Sequence, residues 1–296
     1  MDKYREKFDH HLKDFFINHP KLDVYNEICL DGKRLRPILI LGIATFLNPE
    51  WENTDLKDKI YKFALIVELI HNTSLIIDDL PSMDNDKYRR NNLTFHYKYG
   101  VKKAYLMIYN LLIIIKKMIL ELLELLDKFS NESLRLEELI NLETGNLIQG
   151  QSWDLNETWK PLLGSRSLKI AEYKTTSLFR LSIVGVFFLI NNASDALDKG
   201  LNKDLEDKDL EDKDLEDNLL KISENLGMAF QLSDDYLDVN IDKKYNNYAL
   251  ETSSENLKDK FNMHINDLEN HLKKIELNEY FMNELIFLLK KRLDKH

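Results

Sequence analysis

The sequence predicts an all-α fold, a single helical domain, on three observations. Only nine Gly and five Pro occur in 296 residues, too few of the turn breakers that a strand-rich chain needs. With 44% hydrophobic residues, a chain of this length can bury a large core. Apolar residues also recur at three- and four-residue intervals in one long run after another, which is the period of an amphipathic helix.

These runs predict helices at 2–18, 37–47, 55–79, 86–99, 101–128, 132–150, 167–191, 218–240, 251–275 and 278–294. The first mixes both charge signs and lacks the apolar centre of a secretory signal, so no targeting segment is expected. The second follows Asp31-Gly32-Lys33-Arg34-Leu35-Arg36-Pro37. The third places Val67, Ile70 or His71, Ser74 and Asp78 at helical intervals on one face, a stripe that runs from grease to carboxylate. The greasiest stretches, 111–115 and 181–190, are interrupted or flanked by Lys116, Lys117 and Arg180, so neither is expected to span a membrane. A soluble protein of cytoplasm or organellar matrix is expected.

Net charge is −10, of which −6 comes from 203–217, three tandem copies of Lys-Asp-Leu-Glu-Asp. Its leucines recur every five residues and walk around a helix, which predicts a solvated, low-complexity insertion and not a packed element. Apart from it no linker separates independent halves, so one domain is expected over 1–296. No basic stripe appears, and nucleic-acid binding is excluded. The single Cys29 excludes an internal disulfide.

Function is carried by two aspartate clusters, Asp78-Asp79-Leu80-Pro81-Ser82-Met83-Asp84 and Asp234-Asp235-Tyr236-Leu237-Asp238, each ending a long apolar helical run. Acidic pairs are also common on solvated helix faces. Here, however, carboxylates meet an apolar wall, where their ionised forms need nearby cations. Magnesium suits them, because it prefers hard oxygen ligands and shares one or two carboxylates with substrate phosphates. Basic residues supply the complementary half: Lys33 and Arg36 precede a helix start, and Arg89 and Arg90 follow the first cluster, all suited to diphosphate. His71 alone would read as a core histidine, and it gains meaning only beside these groups.

The order of motifs, Gly32-Lys33-Arg34-Leu35-Arg36-Pro37, Glu68-Leu69-Ile70-His71 through Asp84, Arg89-Arg90, Gly150-Gln151-Ser152-Trp153-Asp154-Leu155, Lys174-Thr175 and Phe230-Gln231-Leu232-Ser233-Asp234-Asp235-Tyr236-Leu237-Asp238, resembles the trans-isoprenyl diphosphate synthases. The likeness runs over roughly 28–240, and the D-D-x-x-x-x-D spacing looks like the geranylgeranyl and bacterial farnesyl branch. It implies a helical bundle of the isoprenoid synthase type, usually a homodimer, with a central cavity between the two aspartate-bearing helices. It further implies that Asp78, Asp84 and Asp234, helped by Asp79, Asp235 and Asp238, hold about three magnesium ions against an allylic prenyl diphosphate. Arg89, Lys174, Thr175 and Gln231 would surround that group, while Lys33, Arg36, His71 and Arg90 would hold isopentenyl diphosphate.

The chain departs from the family pattern at Asp31, Ile77, Asn91 and Leu93, and after Asp238, where a glycine- and lysine-rich closing loop is replaced by a shorter stretch. There Lys243 or Lys244 stands where relatives carry lysines over the diphosphate. Two other classes of function share parts of the pattern: a catalytically weak regulatory subunit of a heteromeric synthase, and a class I terpene cyclase. Retained ligands in both clusters argue against the first, and a second aspartate-rich cluster plus the Lys33–Arg36 site argue against the second. Relatives that make short products floor the tunnel with a bulky residue four or five positions before the first aspartate. Here those positions are Ser74 and Thr73, both small, so the tail is expected to pass them toward Ile70, giving a product of about twenty carbons or longer.

Overall fold

The computed structural model describes residues 1–17, 32–127, 130–156, 158–198, 205–239, 247–277 and 280–294, leaving aside the side chains of 193–198 and 205–209. Its helices are α1 (Asp2–Phe16), α2 (Leu35–Leu47), α3 (Leu56–Asp78), α4 (Phe95–Tyr99), α5 (Val101–Glu124), α6 (Asn131–Leu155), α7 (Arg166–Lys174), α8 (Thr176–Asp198), α9 (Leu205–Asp238), α10 (Tyr248–Glu251), α11 (Ser254–Lys274) and α12 (Tyr280–Leu293). The predicted all-α class holds, and the predicted helix at 86–99 is corrected. There a two-stranded hairpin, β1 (Tyr88–Arg89) and β2 (Asn92–Leu93), precedes α4. Its two-residue loop, Arg90-Asn91, has both φ angles positive, at 51° and 66°, as a type I′ turn requires. Asparagine tolerates that conformation, and this turn chemistry overrides the apolar spacing that suggested helix.

Helix α8 is the hub. Every residue from 176 to 190 is buried, and α8 packs on α2, α3, α6, α7 and α9. The two helices that end in aspartate clusters, α3 and α9, thus share one support. Arg180 of α8 is clamped to Glu143 of α6 by bonds of 2.8 and 2.9 Å, so the hub cannot turn about its axis without breaking a buried ion pair. By length and composition, 56–78 and 166–192 would suffice to cross a membrane, against expectation. Their apolar windows are 72% and 83% buried inside the protein, which accounts for that character as core packing. The second is also two helices, α7 and α8, broken at Thr175 where a single one was predicted.

The repeat is helical from Leu205 onward and forms the first turns of α9. It contains neither Gly nor Pro, so helix nucleated on the buried part of α9 propagates back through it. Leu210 is exposed, whereas Leu215 packs partly on the core and Glu216 pairs with Arg135 of α6.

Two contacts decide how α7 and α9 are held. Gly150 of α6 lies against the start of the lysine motif: a Cβ there would come within 2.4 Å of the Lys174 backbone nitrogen. Along the antiparallel pair α9 and α11, His264 and His271 bond through Nδ1 to the side-chain oxygens of Asn225 and Asn218, each at 2.8 Å. Each asparagine amide donates to a backbone carbonyl one turn earlier, so its oxygen accepts and the neutral histidine carries its proton on Nδ1.

Two outcomes follow. Gly150→Ala should destabilise by about 1–3 kcal/mol through overpacking, whereas Gly145→Ala, which meets nothing within 4 Å in the same helix, should stabilise by roughly 0.5–1 kcal/mol. Equal effects in denaturant titrations would contradict the close approach. Burial, then Lys260, holds the His264 pKa below its usual 6.5. Below pH 6.5 the unfolded chain therefore binds a proton that the folded one refuses, and stability present above 6.5 is lost as pH falls toward the folded value. The melting temperature of His264→Gln should fall less steeply than that of the parent over this window; parallel curves would show that His264 is not the titrating group.

Candidate active site

The first aspartate cluster is split by the turn that follows α3. Asp78 is the last residue of that helix, and the chain folds back so that the Asp84 N–H donates to the Asp78 carbonyl at 2.9 Å, with Asn85 in the left-handed region at φ 55°. Asp78 and Asp84 consequently line one cavity of about 400 Å³, together with Asp154, Lys174, Thr175, Gln231, Asp234, Asp235 and Asp238. Asp79 turns away. It accepts two bonds of 2.7 Å from Arg89 and lines a smaller pocket of about 100 Å³ with Arg89 and Arg90. Arg89 borders both spaces.

Part of the negative charge in the large cavity is offset from within the chain. Burial pushes the Asp78 carboxyl above the usual range, and Lys174 opposes this. The Lys174 ammonium stands 2.6 Å from Asp154 and 3.8 Å from Asp78. Although burial disfavours its charge, Asp78 and Asp154 hold it protonated, above its ordinary value.

On α9 the second cluster also divides. Asp235 is buried and committed: Gln231 donates to one oxygen at 2.8 Å and the Tyr248 N–H to the other at 3.1 Å, while Thr175 donates to Gln231 at 2.6 Å. Asp234 pairs with Arg292 of α12, and Asp238 lies one turn on. Burial raises the pKa of both; Arg292, Lys33 and Arg36 oppose the rise at Asp234, whereas Asp234 itself adds to the rise at Asp238.

Of the predicted basic half, Arg89 lies in the wall of this cavity, whereas Lys33, Arg36, His71 and Arg90 stand beside it. Lys33 is exposed, while Arg36 is half-buried with its Nε unpartnered and its guanidinium 5.4 Å from the Phe179 ring. Burial pushes Arg36 down to about 10, with Arg90 adding to the effect. His71 falls well below its usual value through burial and through Arg36, Arg90, Arg89 and Arg34, so at neutral pH it is an uncharged donor among arginines. Arg34, which the motif reading passed over, is instead fully buried and bonded at 2.8 Å to both Asp9 and Glu68. Asp154 stands in the Gly150–Leu155 motif, and the family resemblance implies no role for it. Arg292 had no signal at all, because nothing in α12 marks a residue that packs on a cluster 58 positions away.

The chain-length positions are not brought to the acidic cavity. Ile70 and Thr73 are buried, and Ser74 is half-buried. The two hydroxyls bond within α3, Thr73 to the Leu69 carbonyl at 2.7 Å and Ser74 to the His71 carbonyl at 2.9 Å. Cys29, Asp31, Lys243 and Lys244 lie outside the described residues.

The donor set fits magnesium. It is all carboxylate oxygen, and burial resists its ionisation unless a cation is near. Among the described residues, no three metal-ligating side chains converge tightly enough to enclose an ion alone.

A polyprenyl synthetase family model matches residues 21–252. A geranylgeranyl diphosphate synthase of Pantoea ananas is 33% identical over 208 residues, 70% of this chain and 61% of its own length. A farnesyl diphosphate synthase of Micrococcus luteus is 32% identical over 211 residues, 70% of this chain and 62% of its own length. The matched region therefore spans less than two thirds of these relatives. The fold is shared with a geranyltransferase of Legionella pneumophila, with a TM-score of 0.75, 22% identity and coverage of 99% of this chain and 95% of that one. It is also shared with a geranyltransferase of Helicobacter pylori solved with magnesium and isoprenyl diphosphate, with a TM-score of 0.71, 24% identity and coverage of 99% and 97%. With most of its length matched by the family model, the chain belongs to the polyprenyl synthetase family.

Proposed function

We propose that the protein is a trans-prenyltransferase that condenses isopentenyl diphosphate with an allylic diphosphate to give an all-trans prenyl diphosphate of about twenty carbons or longer. The single observation that carries this reading is the meeting of Asp78 at the end of α3 and Asp84 in the turn after it with Asp234, Asp235 and Asp238 from α9 around one cavity, next to a separate cluster of arginines. Two acidic helix ends facing each other beside a cationic pocket suit two diphosphates in different environments.

Bound magnesium, about three ions in the family pattern, would supply charge neutralisation for the departing diphosphate. Asp78, Asp84, Asp234 and Asp238 would hold it, with Asp79 and Asp235 contributing through Arg89 and Gln231. Lys174 and Arg89 bind and orient the allylic diphosphate, whose carbon–oxygen bond breaks with the electron pair leaving on oxygen. Thr175 and Gln231, locked to each other, present oriented dipoles at the cavity wall. Lys33, Arg36, His71 and Arg90 hold the second diphosphate so that the alkene of isopentenyl diphosphate attacks the allylic carbon. A proton then leaves the new carbon chain for the released diphosphate, and one five-carbon unit has been added. The exposed apolar stripe of α5, with Leu106, Tyr109, Leu112 and Ile113, supports a homodimer built on that face.

The reading is tested with purified protein, magnesium, isopentenyl diphosphate and allylic primers of several lengths. The parent should release diphosphate and lengthen the primer, and Asp234→Ala should turn over at least about 100-fold more slowly with unchanged helical content. Turnover close to the parent rate would remove the second cluster from the chemistry. Product length is checked by mass spectrometry. Thr73→Phe or Ser74→Phe should shorten the product by filling volume along α3, in the way overpacking excludes volume in a core. A parent that stops at fifteen carbons, or Phe variants with unchanged products, would place the floor on another helix.

A further inference from the structure

The entry into α2, which carries Lys33 and Arg36, is fixed by the N-cap residue between them. Arg34 caps α2 at φ 54° and ψ 29°, a left-handed conformation that costs a non-glycine residue energy and needs compensation. Compensation is visible in its side chain, which is wholly buried and donates through Nε to Asp9 of α1 and through Nη1 to Glu68 of α3, both at 2.8 Å. Gly32 makes room for this arrangement, since a Cβ there would lie 2.7 Å from the Arg34 head and 2.8 Å from that of Arg90.

Two arginines stand within the field of the buried Glu68 carboxylate, Arg34 and Arg36, and of these two only Arg34 bonds to it among the described residues. Arg36 makes no ion pair among the described residues, and its Nε has no partner. A buried carboxylate without a partner is strongly unfavourable, so Glu68 would take whichever guanidinium is available. Asp9 decides between them by binding the second edge of Arg34 from a helix that lies outside the family-matched segment.

We infer that Asp9 and Arg34 are positioning residues for the second diphosphate: the Asp9–Arg34–Glu68 bridge satisfies Glu68 and thereby leaves Arg36 available to substrate. This rests on the proposed assignment of Lys33 and Arg36 to isopentenyl diphosphate. Helix α1 then shapes the site without lining it.

The test measures kcat and both KM values for the parent, Arg36→Ala, Asp9→Asn, Arg34→Met and Arg34→Met/Glu68→Gln. In Arg34→Met the orphaned Glu68 captures Arg36, and the KM for isopentenyl diphosphate should rise about tenfold while the allylic KM stays within about twofold. Removing the competing carboxylate should bring the double variant back to within about threefold of the parent although Arg34 is still absent. Asp9→Asn should move the same KM in the same direction by about threefold, and it decides the matter with the double variant if Arg34→Met fails to fold. A parental KM in Arg34→Met, a double variant as impaired as the single one, or equal rises for both substrates would overturn the inference. If instead Arg36→Ala leaves the isopentenyl diphosphate KM unchanged, the assignment of that pocket is wrong and the inference falls with it.

Discussion

Carboxylates gathered out of water have to be neutralised, and most of this structure is arranged around that requirement. Five aspartates of the two clusters share one cavity, where burial opposes the ionisation of Asp78, Asp234 and Asp238 and neighbouring carboxylates add to it at Asp78 and Asp238. The chain answers with cations brought from elsewhere: Lys174 for Asp78, Arg292 for Asp234, and Arg89 for Asp79 outside the cavity. Lys174 is placed by the close approach of Gly150, Arg292 by the last turn of α12, and Arg89 by a type I′ turn. Each counter-ion thus explains a piece of backbone that would otherwise look arbitrary. The same field that holds these lysine and arginine side chains near the carboxylates is available to hard cations when diphosphate enters.

The arginine-rich side obeys the opposite constraint. Arg34, Arg36, Arg89 and Arg90 all act on His71, which loses its charge as a result and can sit among them without adding to the repulsion. Glu68 relieves only part of the excess, because its bond is taken by Arg34. What remains is a region of unbalanced positive charge next to a region of unbalanced negative charge. An anion bound on one side and a cation on the other would each be favoured by the charge already in place.

Much of this could be read in the sequence, for reasons that are local. Helical period, scarce breakers and the grease-to-carboxylate stripe of α3 are properties of contiguous residues, and they located the helices and the aspartates. The failures are equally physical. The hairpin at 88–93 was hidden because Arg90 and Asn91 signal a turn only through backbone angles that spacing does not encode. The break at Thr175 was hidden because apolar residues recur at helical intervals on both sides of it, and it leaves Thr175 bonded to Gln231. Arg34, Arg292 and Asp154 act through partners 20 to 58 positions away. Such pairings are decided by packing, and no window of sequence contains both members.

The second aspartate cluster shows how one helix separates two tasks with the same residue type. Residues four apart share a face, so the segment from Gln231 to Asp238 offers two stripes, 231 with 235 and 234 with 238. On the first, an amide meets a carboxylate and they bond at 2.8 Å, with the Tyr248 N–H closing the second oxygen; Asp235 is thereby wired to α7, α8 and α10. On the second, carboxylate meets carboxylate, and Asp234 adds to what burial already does in opposing ionisation of Asp238, a pair suited to cations. Leu232, Ser233 and Tyr236, buried between the stripes, fix the rotation of the helix. A one-residue slip would exchange the wired aspartate for an unwired one, which is why the apolar positions of α9 are as much a part of the site as its acids.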